Sequence, residues 1–137
     1  MRGNGSGWRL SALGLLAAGC WLVLAGLPAR AYTPEQVAAG RDVYARSCAS
    51  CHGARGEGGG PESPDAPLLV GPRALTGFRD ALELYEFTAE SMPQDQPNSL
   101  PAEEYWAVIA WLLAENGLSG PGEPLGPANA AQVSLRR

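Results

Sequence analysis

Between Gly53 and Gly77 the chain offers little from which to build a helix or a strand. Six glycines fall between Gly53 and Gly71, Pro61, Pro64, Pro67 and Pro72 interrupt the same stretch, and no run alternates as a strand would. Glycine loses the most conformational freedom on folding and proline removes a backbone donor, so a loop of this length is ordered only by what it packs against. The foldable unit around it, residues 32–117, is about 85 residues long and short of apolar core. A large buried group from outside the chain would make up that shortage.

The rest of the unit reads as three helices and no strand. Thr33 is a good N-cap, Pro34 fits the first helical position, and Gln36 completes a capping box for a helix running to about Ser47. Val37, Gly40, Tyr44 and Ser47 or Cys48 share one face of it. Gly40 in mid-helix costs about 1 kcal/mol against alanine, which points to a packing reason. The middle helix spans Asp80 to about Ala89, with Leu82, Tyr85 and Phe87 expected inward. The last runs from about Pro101 to Asn116 and stops at Gly117. Its apolar residues cover most of its circumference, so it is expected to be the most buried.

Chemistry concentrates in Cys48-Ala49-Ser50-Cys51-His52. Cys-x-x-Cys-His is the attachment sequence of c-type haem. The two thiols bond two vinyl groups on one edge of the porphyrin, and the adjacent imidazole is brought to the iron. A redox dithiol and half of a zinc site are the alternatives. No βαβ pattern supports the first, and the second lacks ligands, because a closed zinc site takes four. His52 is the sole histidine and Met92 the sole methionine after Met1, so elimination points to Met92 as the second iron ligand, a gap-filling core methionine being the alternative. Pro93 biases Met92 to an extended conformation and ends the middle helix. The expected metal ligands are thus His52 and Met92, on one covalently held haem c.

Residues 1–31 read as an export signal or a membrane anchor. Arg2 and Arg9 precede an apolar run from Leu10 to Leu27, and Ala29-Arg30-Ala31 is a small-x-small cleavage site. The run is long enough to remain as an anchor, and Ala17-Ala18-Gly19-Cys20 loosely resembles a lipoprotein box. Each alternative puts the body of the protein outside the cytoplasmic membrane, in the periplasm or an equivalent space. Cleavage would remove Arg2, Arg9 and Arg30, leaving seven arginines against fourteen acidic residues, a net charge of −7. That balance argues against nucleic acid and suggests neutral or basic partner surfaces. Residues 118–137 carry Pro121, Gly122, Pro124, Gly126 and Pro127 without apolar periodicity, and read as a flexible tail.

The chain resembles class I cytochromes c over about Thr33 to Gly117. The motifs that carry the resemblance are Gly40-x-x-x-Tyr44-x-x-x-Cys48, Val108-x-x-Trp111-Leu112, Pro67-Leu68-Leu69-Val70-Gly71 and Met92-Pro93. The resemblance implies a small all-α cytochrome c fold, three main helices with long loops around one covalently bound haem. It implies that Gly40 lets the last helix approach the first, and that the Pro67 carbonyl accepts a hydrogen bond from His52 Nδ1, with Pro72 as the alternative. Leu69 would line the haem crevice with Tyr85, Val108 and Trp111. Met92-Pro93 through Leu100, Glu104-Tyr105-Trp106 and Trp111-Leu112-Leu113 are similar to cytochrome domains that accept electrons from periplasmic dehydrogenases. Pro101 departs from the usual Ser or Thr cap, and the lysine ring of mitochondrial relatives has no counterpart.

With iron ligated by both His52 and Met92, the expectation is a single-electron carrier and no enzyme. It would shuttle electrons between exported redox proteins such as a dehydrogenase donor and an oxidase or other acceptor. A dedicated subunit of a dehydrogenase or oxidase complex is the alternative, and a five-coordinate haem sensor or peroxidase is a further one. Arg55, Arg73 and Arg79 are candidate partners for haem propionates or plain surface charges, and Trp106 faces either the first helix or a partner.

Overall fold

Thr33 opens the first helix through its side chain, whose Oγ1 accepts from the Gln36 amide at 3.2 Å. The computed structural model describes residues 32–119 and 122–136. The elements are α1 (Pro34–Ser47), α2 (Ala49–His52), α3 (Ala81–Ser91) and α4 (Ala102–Glu115), followed by a 3-10 turn at Ala130–Gln132. The fold is all-α. Among the described residues there is no strand, only isolated bridges at Gly60–Ser63 and Asp80–Ser134. The three long helices are those the apolar pattern predicts. The short α2 is a single turn made by the Cys-x-x-Cys-His residues themselves.

The most extensive contact between elements is that of α1 with α4. Every residue from Tyr105 to Leu113 is buried, as an all-round apolar helix requires. Gly40 explains how closely the two helices meet. A Cβ there would run into the Ala107 carbonyl oxygen and lie 2.8 Å from Trp111 Cβ. One turn further on, the rings of Tyr44 and Trp111 meet with centroids 4.4 Å apart. Arg46 and Glu104 close the exposed rim of the same interface with an ion pair of 2.5 Å.

Two features of α3 differ from the sequence expectation. Its buried residues are Ala81 and Leu84, with Leu82 and Tyr85 half-buried. Phe87 points outward and is 47% exposed, its ring resting on Phe78 at 5.4 Å. Five of the seven residues from Ala81 to Phe87 are apolar, so the helical period does not single out one face and packing chooses it. Trp106 stacks on Tyr85, with centroids 3.7 Å apart and planes within 6°, so its ring packs against α3.

The largest correction concerns the end of the chain. Residues 122–136, expected to be a flexible tail, are docked along their length. Leu125, Ala130, Val133 and Leu135 are buried in the main apolar cluster. The Gln36 side-chain amide donates to the Leu125 carbonyl and accepts from its N–H, both at 2.8 Å. The capping box at α1 is therefore only half made, because Gln36 spends its side chain on this distant segment. The Asn129 side chain braces the turn, accepting from the Gly126 amide and donating to the Pro124 carbonyl, each at 3.0 Å. Single apolar residues spaced along a proline-rich segment give no period, yet each finds a site on a preformed surface. The expected signal or anchor in residues 1–31 lies outside the described residues.

Candidate functional site

The helix α1 ends at Ser47, and α2 begins two residues later as one turn. Cys48 sits at the junction, with its N–H on the Tyr44 carbonyl at 2.9 Å and its carbonyl accepting from His52 at 2.9 Å. A four-residue helix cannot satisfy its own last carbonyls. The glycine-rich loop satisfies them instead. Glu62 N–H donates to Ser50 O at 3.0 Å, Gly60 N–H to Cys51 O at 2.7 Å, and Gly58 N–H to His52 O at 2.8 Å. Gly60 lies so close that a Cβ would meet Ser50 O and sit 2.7 Å from the Cys51 carbonyl carbon. The loop that looked hard to order is ordered by the motif turn, and it clamps that turn in place.

Beyond His52, the Tyr44 hydroxyl donates to Gly53 O at 2.6 Å. Burial pushes this phenol up to about 12, the charges of Cys48 and Glu57 adding to the effect, so it stays a protonated donor. His52 is buried, and its Nδ1 lies 3.0 Å from Pro67 O. A carbonyl only accepts, so Nδ1 carries the proton and Nε2 keeps its lone pair free for a metal. Pro67, and not Pro72, occupies this position. The next residues are tied in turn: Leu69 N–H and Val70 N–H both donate to Gly56 O, at 2.7 and 3.0 Å. Leu69 is half-buried against the apolar cluster.

Asn116 holds the other side of this segment, and nothing in the sequence marked it beyond its place before Gly117. Its Nδ2 donates to Leu69 O and Leu112 O, both at 2.8 Å, and its Oδ1 accepts from Gly71 N–H at 3.1 Å. One side chain thus pins residues 69–71 to the end of α4. Replacing Asn116 by leucine is expected to cost about 1–3 kcal/mol through the unpaired backbone groups it leaves. Chemical denaturation would measure that loss, and stability equal to that of the unaltered protein would show that the pin is idle.

Met92 is the C-cap of α3, with extended backbone angles of −128° and 150°. Its N–H donates to Thr88 O at 2.8 Å, and its carbonyl accepts from the buried Tyr105 hydroxyl at 2.8 Å. The main chain at Met92 is therefore fixed from both sides. Of the expected lining residues, Val108 and Trp111 are buried and Tyr85 is half-buried. Trp111 is taken up by Tyr44 and Tyr85 by Trp106, so both aromatic rings already serve helix packing. Arg79 forms an ion pair with Glu83 at 3.1 Å.

The alternative chemistries fit this geometry poorly. Cys48 and Cys51 are both free thiols. Burial pushes the Cys48 thiol up to about 11, with Arg46 pulling it the other way. Reactive dithiols need the opposite shift. Among the described residues no group of three or more His, Cys, Asp or Glu is placed to hold a metal ion.

The model of the family described as cytochrome C oxidase, cbb3-type, subunit III matches residues 35–112. The chain belongs to this cytochrome c family. Its cytochrome domain is an electron-transfer module and is not itself catalytic. Among solved structures, a chain of the sulfane dehydrogenase SoxCD from Paracoccus pantotrophus is similar, with 30% identity and a TM-score of 0.57. The match covers 77% of this chain and 60% of that chain, so the cytochrome spans less than two thirds of the solved relative. No curated protein matches the sequence.

A cytochrome c domain implies haem c, and the donor set fits it. Two free thiols and one imidazole share a single turn, and the imidazole's Nδ1 is engaged by Pro67 O while Nε2 is left for iron. Cytochrome c domains are typically extracytoplasmic. Among the described residues no helix is long and apolar enough to cross a membrane.

Proposed function

We infer that the chain is an exported mono-haem cytochrome c that carries single electrons between redox proteins. The observation that carries this reading is the His52–Pro67 hydrogen bond, which orients an imidazole beside two free thiols for iron. Cys48 and Cys51 would hold the porphyrin through thioether bonds, His52 would ligate through Nε2, and Met92 would be the second ligand. Pro67 would fix the histidine tautomer, and Leu69 would line the crevice. When bound, haem supplies a one-electron ferrous–ferric couple. The Met92 thioether favours the ferrous form and raises the potential. With both ligands from the protein, no position remains for a substrate, which suits a carrier.

The donor would be a periplasmic dehydrogenase and the acceptor an oxidase or similar redox protein, met through a small transient interface. The net charge of −7 left after cleavage at residue 31 favours neutral or basic partner faces. A second reading, a dedicated subunit of one complex, draws support from the family and the solved relative, whose names are those of an oxidase subunit and a dehydrogenase. Gentle membrane extraction separates the two: a stable complex supports the subunit, and a free haem protein supports the shuttle.

A pyridine haemochrome assay on protein made in a strain competent in haem attachment tests the core of the proposal. One covalent haem per chain is expected. Cys48→Ala and Cys51→Ala should each lose most of it, and full incorporation in both would contradict attachment through these thiols.

A further inference from the structure

The helix that ends in Met92 has few neighbours. Among the described residues, the elements that α3 meets are α4 and the 3-10 turn, each far less extensively than α1 meets α4. The docked segment also reaches the N-terminus of α3 directly. Val133 O accepts from the Ala81 amide at 3.0 Å, and Leu135 N–H donates to Arg79 O at 2.9 Å. Ala81 N–H is one of the orphan donors of a helix start, and Asp80 Oδ1 satisfies a second, the Glu83 amide, at 3.0 Å. At its other end the segment is anchored on α1 through the paired Gln36–Leu125 hydrogen bonds. Residues 122–136 therefore strap α3 to the rigid α1–α4 pair.

We propose that this strap is a positioning element for Met92, with Gln36 and Val133 as its two anchor points. A helix acts as a rigid rod over eleven residues, so restraint at Ala81 is felt at the C-cap, where the Met92 N–H is bonded within α3 itself, to Thr88 O, and the Tyr105 hydroxyl ties its carbonyl to α4. Loosening the strap lets α3 shift on α4 and withdraws the thioether from iron more often. Gln36 and Val133 act through α3 and touch no reacting atom. The inference rests on Met92 being an iron ligand.

The test uses the holo-protein with Gln36→Ala and Val133→Ala, both small changes outside the haem-binding motifs. Covalent haem is expected to stay complete in both. The weak long-wavelength sulfur-to-iron band should fade on heating well before helical circular dichroism is lost, the potential should fall, and CO should bind the reduced protein about tenfold faster. Val133→Ile should restore the unaltered behaviour. Val43→Ala, a core change in α1 that leaves both anchor residues in place, should lower the melting temperature without accelerating CO binding. Unchanged CO binding and potential in both strap variants would overturn the proposal, as would an equal acceleration in Val43→Ala. A sulfur-to-iron band missing from the unaltered protein would overturn the ligand assignment itself, and the strap's role with it.

Discussion

Gly40→Ala is expected to destabilise the protein by about 2–3 kcal/mol, although alanine is the better helix former by about 1 kcal/mol. In an open helix the substitution would stabilise. Here the new methyl would collide with the Ala107 carbonyl and lie 2.5 Å from its carbon. Backbone has no rotamer with which to yield, so α1 and α4 must part. Parting them loosens the Tyr44–Trp111 contact and the packing around the fully buried Ile109 and Leu113. For a domain of this size the loss corresponds to a fall in melting temperature on the order of 10–20 °C. Thermal unfolding of the haem-loaded variant measures it. A melting temperature that stays level or rises would mean that the helices are not in contact at this residue. The effect reaches the site because α1 carries Tyr44, whose hydroxyl fixes Gly53 beside His52.

Met92→Ala should keep haem and lose its properties. Attachment through Cys48 and Cys51 does not involve residue 92, and the backbone there is pinned by Thr88 and Tyr105, so the loop keeps its course. The thioether alone disappears. The potential is expected to fall by on the order of 0.1 V or more, since the axial ligand is a principal control of it. The sulfur-to-iron band should vanish from the oxidised spectrum, and the reduced protein should bind CO readily. Potentiometry on the purified variant decides the matter: a value equal to that of the unaltered protein would show that another group ligates the iron.

How much was legible beforehand depends on whether the signal was local. The Thr33 cap, the course of α4 and the extended conformation of Met92 each follow from a few adjacent residues and appear in the structure. Gly40 was legible as an oddity, a costly residue in mid-helix, and the resemblance to class I cytochromes c named its neighbour. Gln36 misled, because only its backbone N–H serves the local cap, while its whole side chain is bonded 89 residues away to Leu125. Phe87 misled because five of the seven residues from Ala81 to Phe87 are apolar, so the helical period there does not single out one face. Asn116 was silent, since one amide bridging two segments leaves no periodic trace. The tail was misread for a related reason. Leu125, Val133 and Leu135 are buried one at a time on a surface that other elements build, and turn-rich composition looks the same whether or not such a surface exists.

Taken alone, the order of residues determined the helices and the chemistry of the attachment turn, because capping, apolar period and Cys-x-x-Cys-His spacing act within a few residues of chain. Tertiary structure decided which carbonyl steadies His52, which loop amides cap the motif, where Trp106 turns and that the last residues bind back. Those outcomes depend on hydrogen bonds and shapes contributed by segments outside each local motif, and such partners exist only once the chain has folded back on itself.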